Sequence, residues 1–142
     1  MNKNYLRAAL LAGLAPWQIC TVAAQPAALD ALVEQLLEKE LAGAPGKEVL
    51  MLTVEYPAGG ASLPHRHDAQ VFVYVLQGEL KMQVAGGPVR TLRRGQTFYE
   101  NSADVHMISA NASKTKPAKI LVFIVKDKHS PVSREVAPQG TP

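Results

Sequence analysis

The stretch GGASLPHRHDAQVFVYVLQG, residues 59–78, carries both the fold signal and the chemical signal of this chain. His65 and His67 stand one residue apart, and a β-branched and aromatic run from Val71 to Leu76 follows before Gly78 closes it. Side chains at i and i+2 of an extended chain point to the same face. An HxH pair on a strand therefore aims two imidazoles into the same space, as a metal ion requires of its first two protein ligands. Alone, the pair is a weak signal, and its meaning depends on what surrounds it.

Outward from this stretch the hydrophobic period is two. Val49 to Tyr56 reads as a strand, and Pro57, Gly59, Gly60 and Pro64 make a loop into the HxH segment. After Gln77-Gly78, Leu80, Met82 and Val84 alternate with Lys81 and Gln83, giving a strand with one wet face. Gly86-Gly87-Pro88 turns the chain into a short strand, Val89 to Leu92, and Arg93-Arg94-Gly95-Gln96 turns it again. Thr97 to Tyr99, Val105 to Ser109 and Ile120 to Val125 complete the set. Many short strands with glycine turns predict an all-β, closed antiparallel sandwich or barrel over residues 46–128. A tail rich in Pro and Ser, 129–142, is expected to be flexible, with His129 solvated.

Upstream the period is helical. Leu29, Leu32, Val33, Leu36, Leu37 and Leu41 recur at helical spacing, Asp30, Glu34, Glu38 and Lys39 occupy the rest of the wheel, and Gly43 and Pro45 end the pattern. This predicts one N-terminal amphipathic helix over 25–45, a lid or brace on the core rather than a partner-binding helix. Its polar side is acidic, which argues against a membrane-surface role.

The first residues read as a secretory signal peptide, 1–24. Lys3 and Arg7 form a positive start, Ala8 to Ala15 an apolar run, and Val22 and Ala24 are small residues before a cut at Gln25. The expectation is an exported protein, periplasmic or secreted by the Sec route, with no membrane insertion after the leader is removed. The formal charge of the whole sequence is +3. Without Lys3 and Arg7, thirteen Lys and Arg face twelve Asp and Glu, so the balance is nearly neutral. No basic cluster is interleaved with aromatics, which excludes nucleic acid as an expected partner. The single cysteine, Cys20, lies in the leader, so disulfides, thiolate nucleophiles and Cys-ligated zinc are excluded from the mature chain.

Taken together, the two histidine-bearing stretches resemble the cupin superfamily of small jelly-roll β-barrels. The family's first motif runs glycine, five residues, HxH, three or four residues, glutamate, six residues, glycine; Gly59, His65, His67 and Gly78 fall on its places. The second runs glycine, five residues, proline, one residue, glycine, two residues, histidine, three residues, asparagine. Gly95 and His106 match it; Asn101 stands for the proline, Ala103 for the glycine, and Asn111 comes one place late. HRHDAQVFVYVLQG and FYENSADVH look like segments of single-domain bacterial cupins of poorly defined activity. The resemblance implies a cupin jelly-roll β-barrel preceded by the N-terminal helix. It also admits a homodimer, since cupins often pair by strand exchange or sheet packing.

One departure bears on the chemistry. The motif's glutamate, ordinarily a metal ligand, falls on Val71, which shares a face with His67. Gln70 points the other way unless a bulge intervenes. What the resemblance leaves is a neutral face of His65, His67 and His106, like that of the cupin thiol and β-diketone dioxygenases. Neutral imidazoles suit one divalent transition metal ion (Zn, Fe, Cu, Ni or Mn) rather than Mg or Ca, and loading outside the cytoplasm weighs against ferrous iron. The competing reading keeps the histidines as polar wall residues of a barrel that binds no metal. Glu100, six residues before His106 and on the face opposite Tyr99, is the catalytic candidate: a partner for a histidine N–H or a general base, against an ordinary surface carboxylate. Tyr74 and Phe98 are candidates to line the pocket, or plain core. Two function classes follow. One is a metal-dependent cupin acting on a small oxygenated or carbonyl-bearing molecule by dioxygenation, isomerisation or lyase chemistry. The other is a non-catalytic module of the cell envelope that binds a small ligand or a metal.

Overall fold

The computed structural model describes residues 31–136 of the chain. Its elements are all strands: β1 Leu32–Glu40, β2 Lys47–Tyr56, β3 Ala61–Ser62, β4 His65–Arg66, β5 Ala69–Gln77, β6 Glu79–Val84, β7 Arg90–Arg93, β8 Thr97–Glu100, β9 Val105–Asn111, β10 Ala118–Asp127 and β11 Arg134–Glu135. They form two antiparallel sheets. One has the order β1-β2-β10-β5-β8; the other runs β11-β4-β9-β6-β7, with β3 also on β9. The all-β expectation holds for every described residue.

Alternation builds the core. Along β5, Val71, Val73 and Val75 are buried while Phe72, Tyr74 and Leu76 are exposed. The inward residues of β2 and β10 join them from the same sheet, and Leu80, Met82 and Leu92 close over them from the other. Gly78 turns β5 into β6 at a φ of 75°, where a side chain is strained, and an added Cβ would lie 2.9 Å from the Ala118 backbone. No other residue fits there.

The N-terminal helix is the main correction. Residues 32–40 form an edge strand paired along its length with β2, with a bulge at Leu36. The helical spacing was a property of the local sequence only. The free edge of β2 offers a row of backbone partners that a packed helix would leave unused, and tertiary pairing overrides the pattern. Its apolar side chains do not become core: Leu32 is 69% and Val33 64% exposed. The remainder of the expected helix at 25–30 lies outside the described residues, as does the signal peptide at 1–24. Among the described residues no helix is long and apolar enough to cross a membrane.

The C-terminal tail is corrected in part. His129 is exposed in a turn, as expected. Beyond it β11 pairs with β4, and Val136 N–H donates to the Pro64 carbonyl at 3.0 Å. Residues 130–136 are thus laid across the histidine-bearing strand, while 137–142 lie outside the described residues.

Candidate metal centre

The sheets bring His65 and His106 directly opposite each other, as register partners on β4 and β9. His67 follows β4 in the link to β5. The His65 ring centre lies 5.0 Å from that of His67 and 5.1 Å from that of His106. An ion held about 2.1 Å from Nε2 sits roughly 3 Å from the ring centre. Two imidazoles at a tetrahedral angle on one ion are then about 5 Å apart. Both measured pairs have that spacing. As the side chains stand, no group of three or more His, Cys, Asp or Glu among the described residues is close enough to hold an ion.

The hydrogen bonds behind the rings carry more information than their spacing. His65 Nδ1 lies 2.7 Å from the Leu63 carbonyl, and His67 Nδ1 lies 2.6 Å from the Val132 carbonyl. A carbonyl only accepts, so each Nδ1 carries a proton, and in the neutral ring Nε2 keeps the lone pair. His106 Nδ1 lies 3.1 Å from Glu100 Oε1, so the carboxylate fixes the same tautomer there. Burial holds the His65 imidazole below its ordinary value, which favours the neutral ring. In the neutral form of each ring the lone pair then sits on Nε2, the form in which imidazole ligates a metal.

Glu100 and His106 are 2% and 3% exposed, on strands of different sheets. Among the described residues, two buried side-chain atoms have no hydrogen-bond partner: Glu100 Oε2 and His106 Nε2. Leaving such groups unpaired costs about 1–3 kcal/mol each, more for a charged one. Both belong to the wall of a cavity of about 310 Å³. Much of the remaining wall is apolar and includes Leu52, Val54, Val71, Val73, Met82, Val122 and Ile124. Glu100 is thus an interior residue and not a surface carboxylate.

The motif departures acquire physical reasons. Gln70 is exposed, and the β5–β10 register runs without a shift from Ala69 to Val75, so no bulge turns Gln70 inward. Val71 faces the cavity in place of the glutamate. Its register partner across β5–β8 is Glu100, so a carboxylate stands on the neighbouring strand at the same level. At Asn101–Asp104, Asp104 Oδ2 accepts from Asn101 N–H at 2.8 Å and the Asn101 carbonyl accepts from Asp104 N–H at 3.0 Å. That side-chain turn does what proline and glycine do in the motif. Asn111 comes late because β9 carries a bulge at Met107, which absorbs one residue between His106 and Ile108. The Asn111 side chain still reaches the inner end of the strand, donating to the Pro57 and Lys116 carbonyls at 2.9 and 2.8 Å. Tyr74 does not line this cavity; with Phe72 and Tyr99 it lies exposed on the outer face. Phe98 is buried and stacks on the His106 ring at 5.7 Å.

A family model for the cupin domain matches residues 52–124, the segment that contains all three histidines and Glu100. The chain belongs to the cupin family. No curated protein matches this cupin significantly. Among solved structures it is similar to the DMSP lyase DddQ from Ruegeria pomeroyi, at 25% identity and a TM-score of 0.57, over 66% of this chain and 45% of that one. It is similar to an oxalate oxidase in complex with glycolate at 25% identity and a TM-score of 0.57, over 74% of this chain and 54% of that one. This cupin thus spans about half the length of either enzyme. A cupin domain from Bordetella pertussis, 19% identical with a TM-score of 0.57, is covered over 99% of its length and shares the fold.

Residues missed by the sequence reading are Leu63 and Val132, whose carbonyls orient two histidines, and Tyr56, Ser62 and Ser109, which line the same cavity. A carbonyl leaves no trace in a sequence. The bulge that turns Ser109 inward becomes visible only once β9 is paired with β6.

Proposed function

We propose that this cupin holds one divalent transition metal ion on His65, His67 and His106 and acts there on a small oxygen-bearing molecule, as an enzyme of the dioxygenase, isomerase or lyase kind. The observation that carries this reading is common to the three rings: every Nδ1 is engaged behind the site, which in a neutral ring leaves the Nε2 lone pair for a ligand. Polar wall residues with no ligand to bind would have no need of three such orienting bonds. Bound there, the ion would act as a Lewis acid toward an anionic or enolic oxygen. With three neutral ligands and no carboxylate it keeps more positive charge than a site with a glutamate.

The protein's own part is positional. Phe98, Val71 and the apolar strands exclude water around the imidazoles. Glu100 holds the His106 ring through Oε1 and keeps Oε2 free in the cavity wall, placed to take a proton from a bound molecule. The lyase and the oxidase among the similar structures support a cupin that does chemistry. The leader-like residues 1–24 support export, so that metal is acquired outside the cytoplasm.

The test is metal content followed by turnover. Purified full chain should hold about one equivalent of metal, and His106→Ala should lose it while keeping its far-ultraviolet spectrum. Loaded protein is then assayed for oxygen uptake with diketones, thiols and phenols, and for elimination from small carboxylates. Wild-type protein that takes up no transition metal overturns the reading. Metal without any turnover would leave a binding module in its place.

A further inference from the structure

The cavity has a second polar point that no motif residue supplies. The Tyr56 hydroxyl lies 2.6 Å from Ser109 Oγ and 3.1 Å from Ser62 Oγ. The three come from β2, β9 and β3, so both sheets contribute. Ser62 and Ser109 are register partners, as His65 and His106 are farther along β9. Strict alternation would send Ser109 and His106 to opposite faces. The bulge at Met107 puts both on the inner face, across from Met82 and Val84.

Two hydrogen bonds use at most two of the three hydroxyl protons, which leaves one donor free at the cavity wall. Burial pushes the Tyr56 phenol above its ordinary value, so it stays a neutral donor. Among the described lining residues there is no Lys or Arg, and most of the others are aliphatic. A second carboxylate at this point would be buried without a counter-charge, which is strongly unfavourable. A neutral oxygen would be satisfied. The cavity, at about 310 Å³, is at the small end of ligand sites.

We propose that Tyr56, Ser109 and Ser62 form a neutral recognition point that fixes the uncharged oxygen, carbonyl or hydroxyl, of a short ligand whose anionic or enolic oxygen is taken at the imidazoles. The substrate class is thus a small monoanion with a second, neutral oxygen, not a dicarboxylate. This rests on the imidazoles being the anion-binding end, as read above.

The test uses zinc-loaded full chain and matched short acids, titrated by calorimetry: 4-oxopentanoate against pentanoate, 4-hydroxybutanoate against butanoate, and succinate as the dianion. Wild type should prefer the oxo or hydroxy member by about five- to tenfold, the effect of one hydrogen bond, and bind succinate no better than pentanoate. Tyr56→Phe and Ser109→Ala, which each remove only an oxygen, should bring the preference within about twofold. Zinc content and pentanoate affinity should not change. Equal binding of both members by wild type, binding of none of the acids, tightest binding of succinate, or a preference that survives both substitutions overturns the proposal. A purely structural cluster would lower the melting temperature in the variants and leave the preference intact. If wild type takes up no zinc, the imidazole reading falls by itself; the same titrations on metal-free protein then decide this proposal, which falls if the preference is absent there too.

Discussion

Two buried polar clusters of this cupin, similar in burial, differ in how far their atoms are satisfied. Glu48 and Lys126 face each other across β2 and β10, 4% and 5% exposed. Lys126 Nζ donates to Glu48 Oε1 and, at 3.0 Å, to the Ser130 carbonyl. Around them Lys47 pairs with Asp127 at 2.7 Å. No polar side-chain atom of that pair is stranded. In the histidine cluster, Glu100 Oε2 and His106 Nε2 are equally buried and have no partner. A fold gains nothing by leaving two buried polar atoms unpaired, whereas a site that must receive something has to leave them open. The paired cluster is a tie between strands; the stranded one is where we propose that a ligand binds.

The sharpest way to break that contrast is at the stranded cluster. His106→Ala removes a proposed ligand and should reduce metal affinity by more than the roughly 10–100-fold that an outer partner costs. Retention of wild-type metal content, by elemental analysis, would count against the whole site. Next, Glu100→Ala should reduce affinity about 10–100-fold by releasing the His106 ring. Glu100→Gln should cost less, because an amide oxygen still accepts from Nδ1. If both variants bind metal as wild type does, Glu100 plays no orienting role. At the satisfied cluster the outcome should be opposite in kind: Lys126→Met should lower the melting temperature and leave metal content unchanged. A loss of metal there would show that the clusters are coupled.

The smallest effect is on the acid side. The hydrogen bond from Lys126 holds the Glu48 carboxyl below the ordinary 4.5. A lowered folded value means a contribution present above pH 4.5 and lost as pH falls through the lower folded value. Urea midpoints measured downward from pH 5 should fall for wild type. In Lys126→Met that part of the fall should be reduced; an unchanged acid limb would remove Glu48 as its source.

Much of this architecture was legible in advance. The alternation in β5 and β6, the turn at Gly78 and the positions of His65, His67 and His106 all follow from period two and motif spacing. Glu100 was legible as a candidate by parity, but its partner was not, because β8 and β9 belong to different sheets and meet only at the turn 101–104. The edge strand β1 was misread because its leucines fit a helix equally well, and only the open side of β2 separates the two readings. The tail was misread because polar composition says nothing about a backbone carbonyl, here that of Val132, on which His67 depends.

The sequence by itself determined the central strands, the family and the residue types of a nitrogen-rich site, since these depend on periodicity and spacing along one chain. Tertiary structure alone decided which ring nitrogen is free, which carboxylate stands behind His106, and that a bulge at Met107 brings Ser109 and Tyr56 into the same cavity. Those are contacts between strands far apart in sequence, where hydrogen-bond geometry, not local preference, selects the arrangement.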